Sequence, residues 1–300
     1  MPYSDDIVFI GDKTVDQNNQ AKKHNPLSQW FRQPKIFIKL PSNGDYYPPG
    51  TLDKSSEGDY PVYAMTAKDE LMFKTPDALL SGQSTVEVIK SCIPAIQDPW
   101  SMPSLDIDAS LIAIRVATYG ENMDVEANCP HCGHLNDYDI DLLHWLESIT
   151  NWNFDPAVHV DPLVIHVRPY TYKELSQTSL KTLEHQRIFN VINNDDLSDE
   201  EKIDRFGQSF VKLTSLTVDI IAGCVSKISM PDGQEVTDVV QIKEFIHNAP
   251  RDVFDSISNH VTEMKRKIEL PVQHVKCDEC KKEYDMPVTM DQSNFFAARS

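Results

Sequence analysis

Glycine is scarce, ten in 300 residues, whereas proline is common at nineteen. Loops built that way are stiff and specific. Basic residues are in deficit as well. Twenty-eight lysines and arginines face 46 aspartates and glutamates, a formal charge of −18. So acidic a chain repels phosphate backbones, which argues against broad nucleic-acid binding. The densest basic triplet, Lys265-Arg266-Lys267, ends a helical pattern and is more simply a partner for the helix dipole. No apolar run approaches the roughly 18 residues of a membrane span. The opening Met1-Pro2-Tyr3-Ser4-Asp5-Asp6 lacks basic and apolar regions, so no secretory signal is expected. Catalytic signatures are missing too: no dinucleotide fingerprint, no phosphate-binding P-loop, no HExxH and no GxSxG. Asp106 and Asp108 are read as helix-start residues, not as an acid–base pair. The acidic run 195–201 does not fit a calcium loop.

Cysteine is sparse, but its placement is informative. Four of six fall in two CxxC pairs, Cys129-Pro130-His131-Cys132 and Cys277-Asp278-Glu279-Cys280. Four thiolates suit a closed tetrahedral Zn²⁺ site. Each pair is followed by a segment that alternates around an aromatic residue, as a strand leaving a knuckle would. Two matching half-sites point to one zinc ribbon closed by Cys129, Cys132, Cys277 and Cys280. The alternatives are two unrelated half-sites, sites completed by His131, His134 or His274, no metal at all, or a redox pair, although neither CxxC sits in a thioredoxin-like setting. Cys92 and Cys224 lie among apolar residues and read as plain buried thiols.

Along the chain, residues 1–33 form a polar arm ending in an apolar spot, Leu27, Trp30 and Phe31. Residues 34–122 read as an N-terminal α+β region. It has strands near Lys35–Pro41 and Tyr60–Met65 and a helix capped by Thr66. A helix restart follows at Thr75-Pro76-Asp77, then a core helix over about 106–119 stopped by Gly120. The ribbon halves are 123–142 and 272–290. Between them, 143–271 reads as mainly helical, with a hairpin over 158–167 whose His159 and His166 face solvent. Thr171 with Glu174 and Ser198 with Glu201 form capping boxes, the second opening the longest helix. A turn at 193–197, a hairpin turn at Pro231-Asp232-Gly233 and two further helices complete the region. The tail, 291–300, carries Phe295 and Phe296. The expected class is α+β, with a mainly helical region inserted between two halves of a four-cysteine zinc ribbon. Leu27, Trp30, Phe31, Phe295 and Phe296 are the candidate partner-binding residues, because aromatics near chain ends can anchor in a partner's groove. Folding back onto their own domain is the alternative.

The stretch Met65 to Gly82, MTAKDELMFKTPDALLSG, resembles the baseplate hub and baseplate assembly proteins of T4-like contractile-tailed phages. Leu40-Pro41-Ser42-Asn43-Gly44 with Tyr46-Tyr47 resembles the family's opening segment. Asp106-Ile107-Asp108, Ile112, Arg115 and Tyr119-Gly120 resemble its next block, and Cys129-Pro130-His131-Cys132-Gly133 its knuckle. The resemblance covers roughly residues 35 to 145 well. It implies a non-enzymatic tail component in the virion baseplate, present in the host cytoplasm during assembly. Its partners would be other baseplate or tail proteins, with no membrane and no nucleic acid. A zinc-ribbon nucleic-acid module and a metal-dependent enzyme are the competing classes.

Overall fold

The structure is a computed structural model that describes residues 26–27, 30–74, 82–150, 155–177, 179, 198–266, 272–286 and 295–296. The polar arm through Asn25, the restart at Thr75-Pro76-Asp77, the far end of the Thr171 helix, the turn at 193–197 and ribbon residues 287–290 lie outside the described residues. The chain divides into two units, 1–33 and 34–300. In the first, Leu27, Trp30 and Phe31 are all exposed.

The second unit opens with β1 (Pro34–Lys39) antiparallel to β2 (Asp59–Tyr63), with Ile38 opposite Tyr60. Alternation turns Ile38 inward and Phe37 outward. Helix α1 (Ala67–Phe73) starts at a capping box: Thr66 Oγ1 accepts from the Asp69 N–H at 3.3 Å, and Asp69 accepts from the Thr66 N–H at 2.8 Å. Gly82, with φ of 76°, leads into α2 (Gln83–Cys92). A Cβ there would lie 2.9 Å from Ser176 Oγ, so close packing as well as backbone conformation requires glycine. Helix α3 (Ser104–Tyr119) is apolar around most of its circumference, and it is buried as that pattern requires. Gly120 ends it at φ 100°. Strands β3 (Asn122–Asn128) and β4 (Leu135–Asp141) form a hairpin, followed by α4 (Leu142–Thr150). These elements share one core, centred on Ile89, Leu111, Ile112, Ile114 and Trp145.

The inserted region builds a second core. Strands β5 (Ala157–Val160) and β6 (Leu163–Val167) form one hairpin. Strands β7 (Val225–Ser229) and β8 (Glu235–Val236) form another. Pairing of Ile165 with Ile228 joins them into a four-stranded antiparallel sheet. Around it lie α5 (Asp199–Cys224), α6 (Val239–Asn248) and α7 (Arg251–Arg266). Both expected capping boxes are present: the Thr171 N–H donates to Glu174 at 2.9 Å, and the Ser198 N–H donates to Glu201 at 3.2 Å. The class is mixed α and β with a helix-rich middle, as expected. That middle also holds a complete sheet, because two hairpins read as separate in the sequence pair with each other.

The chain returns through β9 (Gln273–Lys276) and β10 (Glu283–Met286), another hairpin. Phe295 and Phe296 are then buried in the first core, which corrects their expected place among partner-docking residues. Phe296 stacks on Phe73 with ring centroids 4.4 Å apart, and Arg115 donates to the Phe295 carbonyl. Each ring hides more apolar area there than a mobile chain end would. Of the two fates weighed for these rings, folding back is the one observed.

Candidate metal centre

The two knuckles are copies of one local structure. In the first, the Cys129 N–H donates to the His134 carbonyl at 2.9 Å, and the Gly133 N–H donates back to the Cys129 carbonyl at 2.9 Å. In the second, the Cys277 N–H donates to Lys282 at 3.0 Å, and Lys281 donates back to Cys277 at 3.0 Å. The flanking registers also match, with Asn128 opposite Leu135 and Lys276 opposite Glu283. The turn requires a left-handed residue four positions after the first cysteine. Gly133 takes it with φ 75° and Lys281 with φ 61°. Glycine does so freely, whereas a lysine carries a cost of about 1 kcal/mol.

The hairpins face each other, so the four sulfur atoms converge within 4.8 Å of one another. Cys129 Sγ lies 3.7 Å from Cys280 Sγ, and Cys132 Sγ lies 3.6 Å from Cys277 Sγ. A tetrahedron with metal–sulfur bonds of about 2.3 Å has edges of roughly 3.8 Å. The donor set and spacing therefore fit a four-thiolate metal ion. Among the described residues this is the one such cluster, and His131, His134 and His274 are not part of it. His274 Nδ1 instead lies 2.5 Å from an oxygen of Asp285.

The thiols hold their protons unevenly. Burial works against a thiolate at Cys277. The backbone groups of Cys280 and Glu279 and the thiols of Cys132 and Cys280 outweigh it and bring Cys277 down to about 6. The backbone of His134 favours the Cys132 thiolate. Desolvation and hydrogen bonds to Cys277, Cys280 and Cys129 outweigh that and push Cys132 up to about 12. Such a cluster is poised to exchange its remaining protons for a cation. Cys224, by contrast, is pushed up to about 12 mainly by burial, as an inert thiol would be.

Side chains that sequence reading missed hold the halves together. Asn136 is buried; its Nδ2 donates to the His134 carbonyl at 3.0 Å, and its Oδ1 accepts from the Asp278 N–H at 2.8 Å. Tyr138 and Tyr284 meet edge to face, with hydroxyls 3.1 Å apart. The Tyr138 hydroxyl also donates to the Lys276 carbonyl at 3.2 Å. Asn136 and Tyr284 each stand seven positions after the first cysteine of their knuckle.

Residues 34–297 match the family model described as T4 bacteriophage base plate protein. The chain belongs to this family. No curated protein and no solved structure gives a match. As a baseplate family member it has a structural, assembly role, working with other baseplate or tail proteins and not as a catalyst. No described helix is long and apolar enough to cross a membrane. In this baseplate protein, residues that carry the family resemblance become the polar ties of the first core. The buried Asp106 carboxylate accepts from the Ser42 N–H at 2.8 Å, the Ser42 hydroxyl at 2.5 Å and the Tyr47 hydroxyl at 3.0 Å. It thereby pins a loop in which Asn43, Gly44 and Tyr46 all have positive φ. Asp106 was expected to serve the start of its helix; its three donors come instead from this distant loop.

Proposed function

We propose that this chain is a zinc-clipped structural component of the contractile-tail baseplate, carried in the virion after assembly in the host cytoplasm. The convergence of Cys129, Cys132, Cys277 and Cys280 carries the reading. A bound Zn²⁺ would offset half of the charge of four thiolates and fasten together two CxxC pairs separated by 144 residues of chain, so its binding energy would be folding energy. The exposed Leu27, Trp30 and Phe31 are proposed anchors for a baseplate neighbour. An acidic hairpin face further disfavours nucleic acid: Asp124, Glu126, Asp137, Asp139 and Asp141 all point outward from β3 and β4.

Elemental analysis of the purified full chain tests the metal, with one zinc per chain expected. A metal content near zero without chelators present would remove the zinc clip. Co-purification with baseplate proteins of the same phage tests the role, and truncation of residues 1–33 tests the anchors. The truncated protein should keep its zinc and melting temperature yet fail to enter the baseplate. Normal assembly would exclude the arm as an anchor.

A further inference from the structure

The four sulfur atoms of the centre are not equally reachable. Cys132 is exposed and Cys280 half-buried, whereas Cys129 and Cys277 are buried. Each reachable sulfur touches a buried one on the opposite knuckle. Cys280 Sγ lies 3.7 Å from Cys129 Sγ, and Cys132 Sγ lies 3.6 Å from Cys277 Sγ. Both hairpins that carry them, 122–141 and 273–286, are described without a break.

A disulfide bond is about 2.0 Å long, so each cross pair has roughly 1.6 Å to close. Groups other than the cysteines already hold the hairpins face to face: Asn136 to Asp278, and Tyr138 to Lys276 and Tyr284. The approach of the cross pairs therefore does not rest on a metal alone. The paired cysteines are 151 and 145 positions apart in sequence. A bond that closes so long a loop restrains the unfolded chain far more than one between cysteines three positions apart.

We infer that the centre is a site of oxidative modification by hydrogen peroxide, with Cys132 and Cys280 as the attacked thiols and Cys277 and Cys129 as their resolving partners. The Cys132 thiolate takes an oxygen atom from the peroxide, becomes a sulfenic acid and releases hydroxide. The Cys277 thiolate then attacks that sulfur, forms the S–S bond and releases a second hydroxide. Cys280 and Cys129 react in the same way. Two peroxide molecules thus take four electrons from four thiolates, and a cation held by the thiolates is released. The product exchanges a metal clip for two covalent ones across the same hairpins. The host cytoplasm keeps thiols reduced, and a particle outside the cell lacks that protection. The setting rests on the zinc-clipped baseplate reading above; the chemistry rests on the sulfur positions.

The test treats the purified full chain with two equivalents of hydrogen peroxide, without reductant or chelator, after its zinc content has been measured. Unreacted thiols are then alkylated, and the disulfides are assigned by tandem mass spectrometry. The expected products are Cys129–Cys280 and Cys132–Cys277 within one chain, with Cys92 and Cys224 alkylated and one zinc released per chain. In Cys277→Ser, a dimedone probe should trap a sulfenic acid at Cys132. If that variant does not fold, the wild-type disulfide map decides. Disulfides within either CxxC pair, between chains or between other partners would overturn the inference, as would sulfinic acids without disulfides. A chain that holds zinc but forms no cross pair would sink the inference and leave the zinc clip standing. Cross pairs in a chain that holds no zinc from the start would support the inference and remove the clip.

Discussion

Asn136 accepts a hydrogen bond from the backbone N–H of Asp278 at 2.8 Å, across 142 residues of sequence. It ties one knuckle's hairpin directly to the backbone turn of the other. Asn136→Ala leaves the Asp278 N–H and the His134 carbonyl without this partner. The expected cost is about 1 to 3 kcal/mol in urea unfolding. Metal should also leave faster in a timed challenge with a chromogenic chelator. Release at the wild-type rate would show that Asn136 does not help to hold the metal in place.

Asp106 makes stability depend on pH. Burial is the main cause that raises its carboxyl to about 7, even though the hydrogen bonds from Ser42 and Tyr47 pull the other way. The folded state therefore holds a proton that the unfolded state has already lost. This contribution is fully present below the ordinary aspartate range, near 4, and is lost as pH rises through about 7. The slope is at most about 1.4 kcal/mol per pH unit. Glu174, lowered by Arg168 and Thr171 against its burial, works in the opposite direction at lower pH. The comparison is thus wild type against Asp106→Asn in denaturant titrations from pH 4 to 8. Loss of the difference in slope between them would show that Asp106 does not titrate in this window.

Asp124 and Asp139 stand directly opposite each other on the outward face of the β3–β4 hairpin. Like charges in that position destabilise a strand pair. Asp139→Asn should raise stability by about 0.2 to 1 kcal/mol. The gain should shrink as salt is added, since both groups are exposed. A gain that does not depend on salt would point to a cause other than repulsion.

Phe296 and Trp30 should respond differently to truncation. Phe296→Ala removes a buried ring stacked on Phe73 and should cost about 3 to 5 kcal/mol. Trp30→Ala removes an exposed ring and should stay within about 0.5 kcal/mol. Equal small losses in thermal unfolding would mean that the chain end does not seal the first core.

Local pattern in the sequence determined most of the elements. Alternation marked β1, β2, β5 and β6. Side-chain oxygens at Thr66, Thr171 and Ser198 set helix starts, and near-continuous apolarity put α3 in the core. The CxxC spacing marked four thiols for one centre, because a knuckle is a local turn that four residues specify. Outside that centre, tertiary structure alone decided which distant groups meet. Ser42 and Asp106 are 64 positions apart, and Arg115 and Phe295 are 180 apart, with nothing in either neighbourhood that encodes the other. The same holds for β6 and β7, whose pairing turned two hairpins into a sheet, and for Phe296, whose place in the core depends on a surface made by α1 and α3. Hydrophobic and hydrogen-bonding side chains state what they need within a few residues, but the partner that meets the need is set by how the whole chain closes on itself.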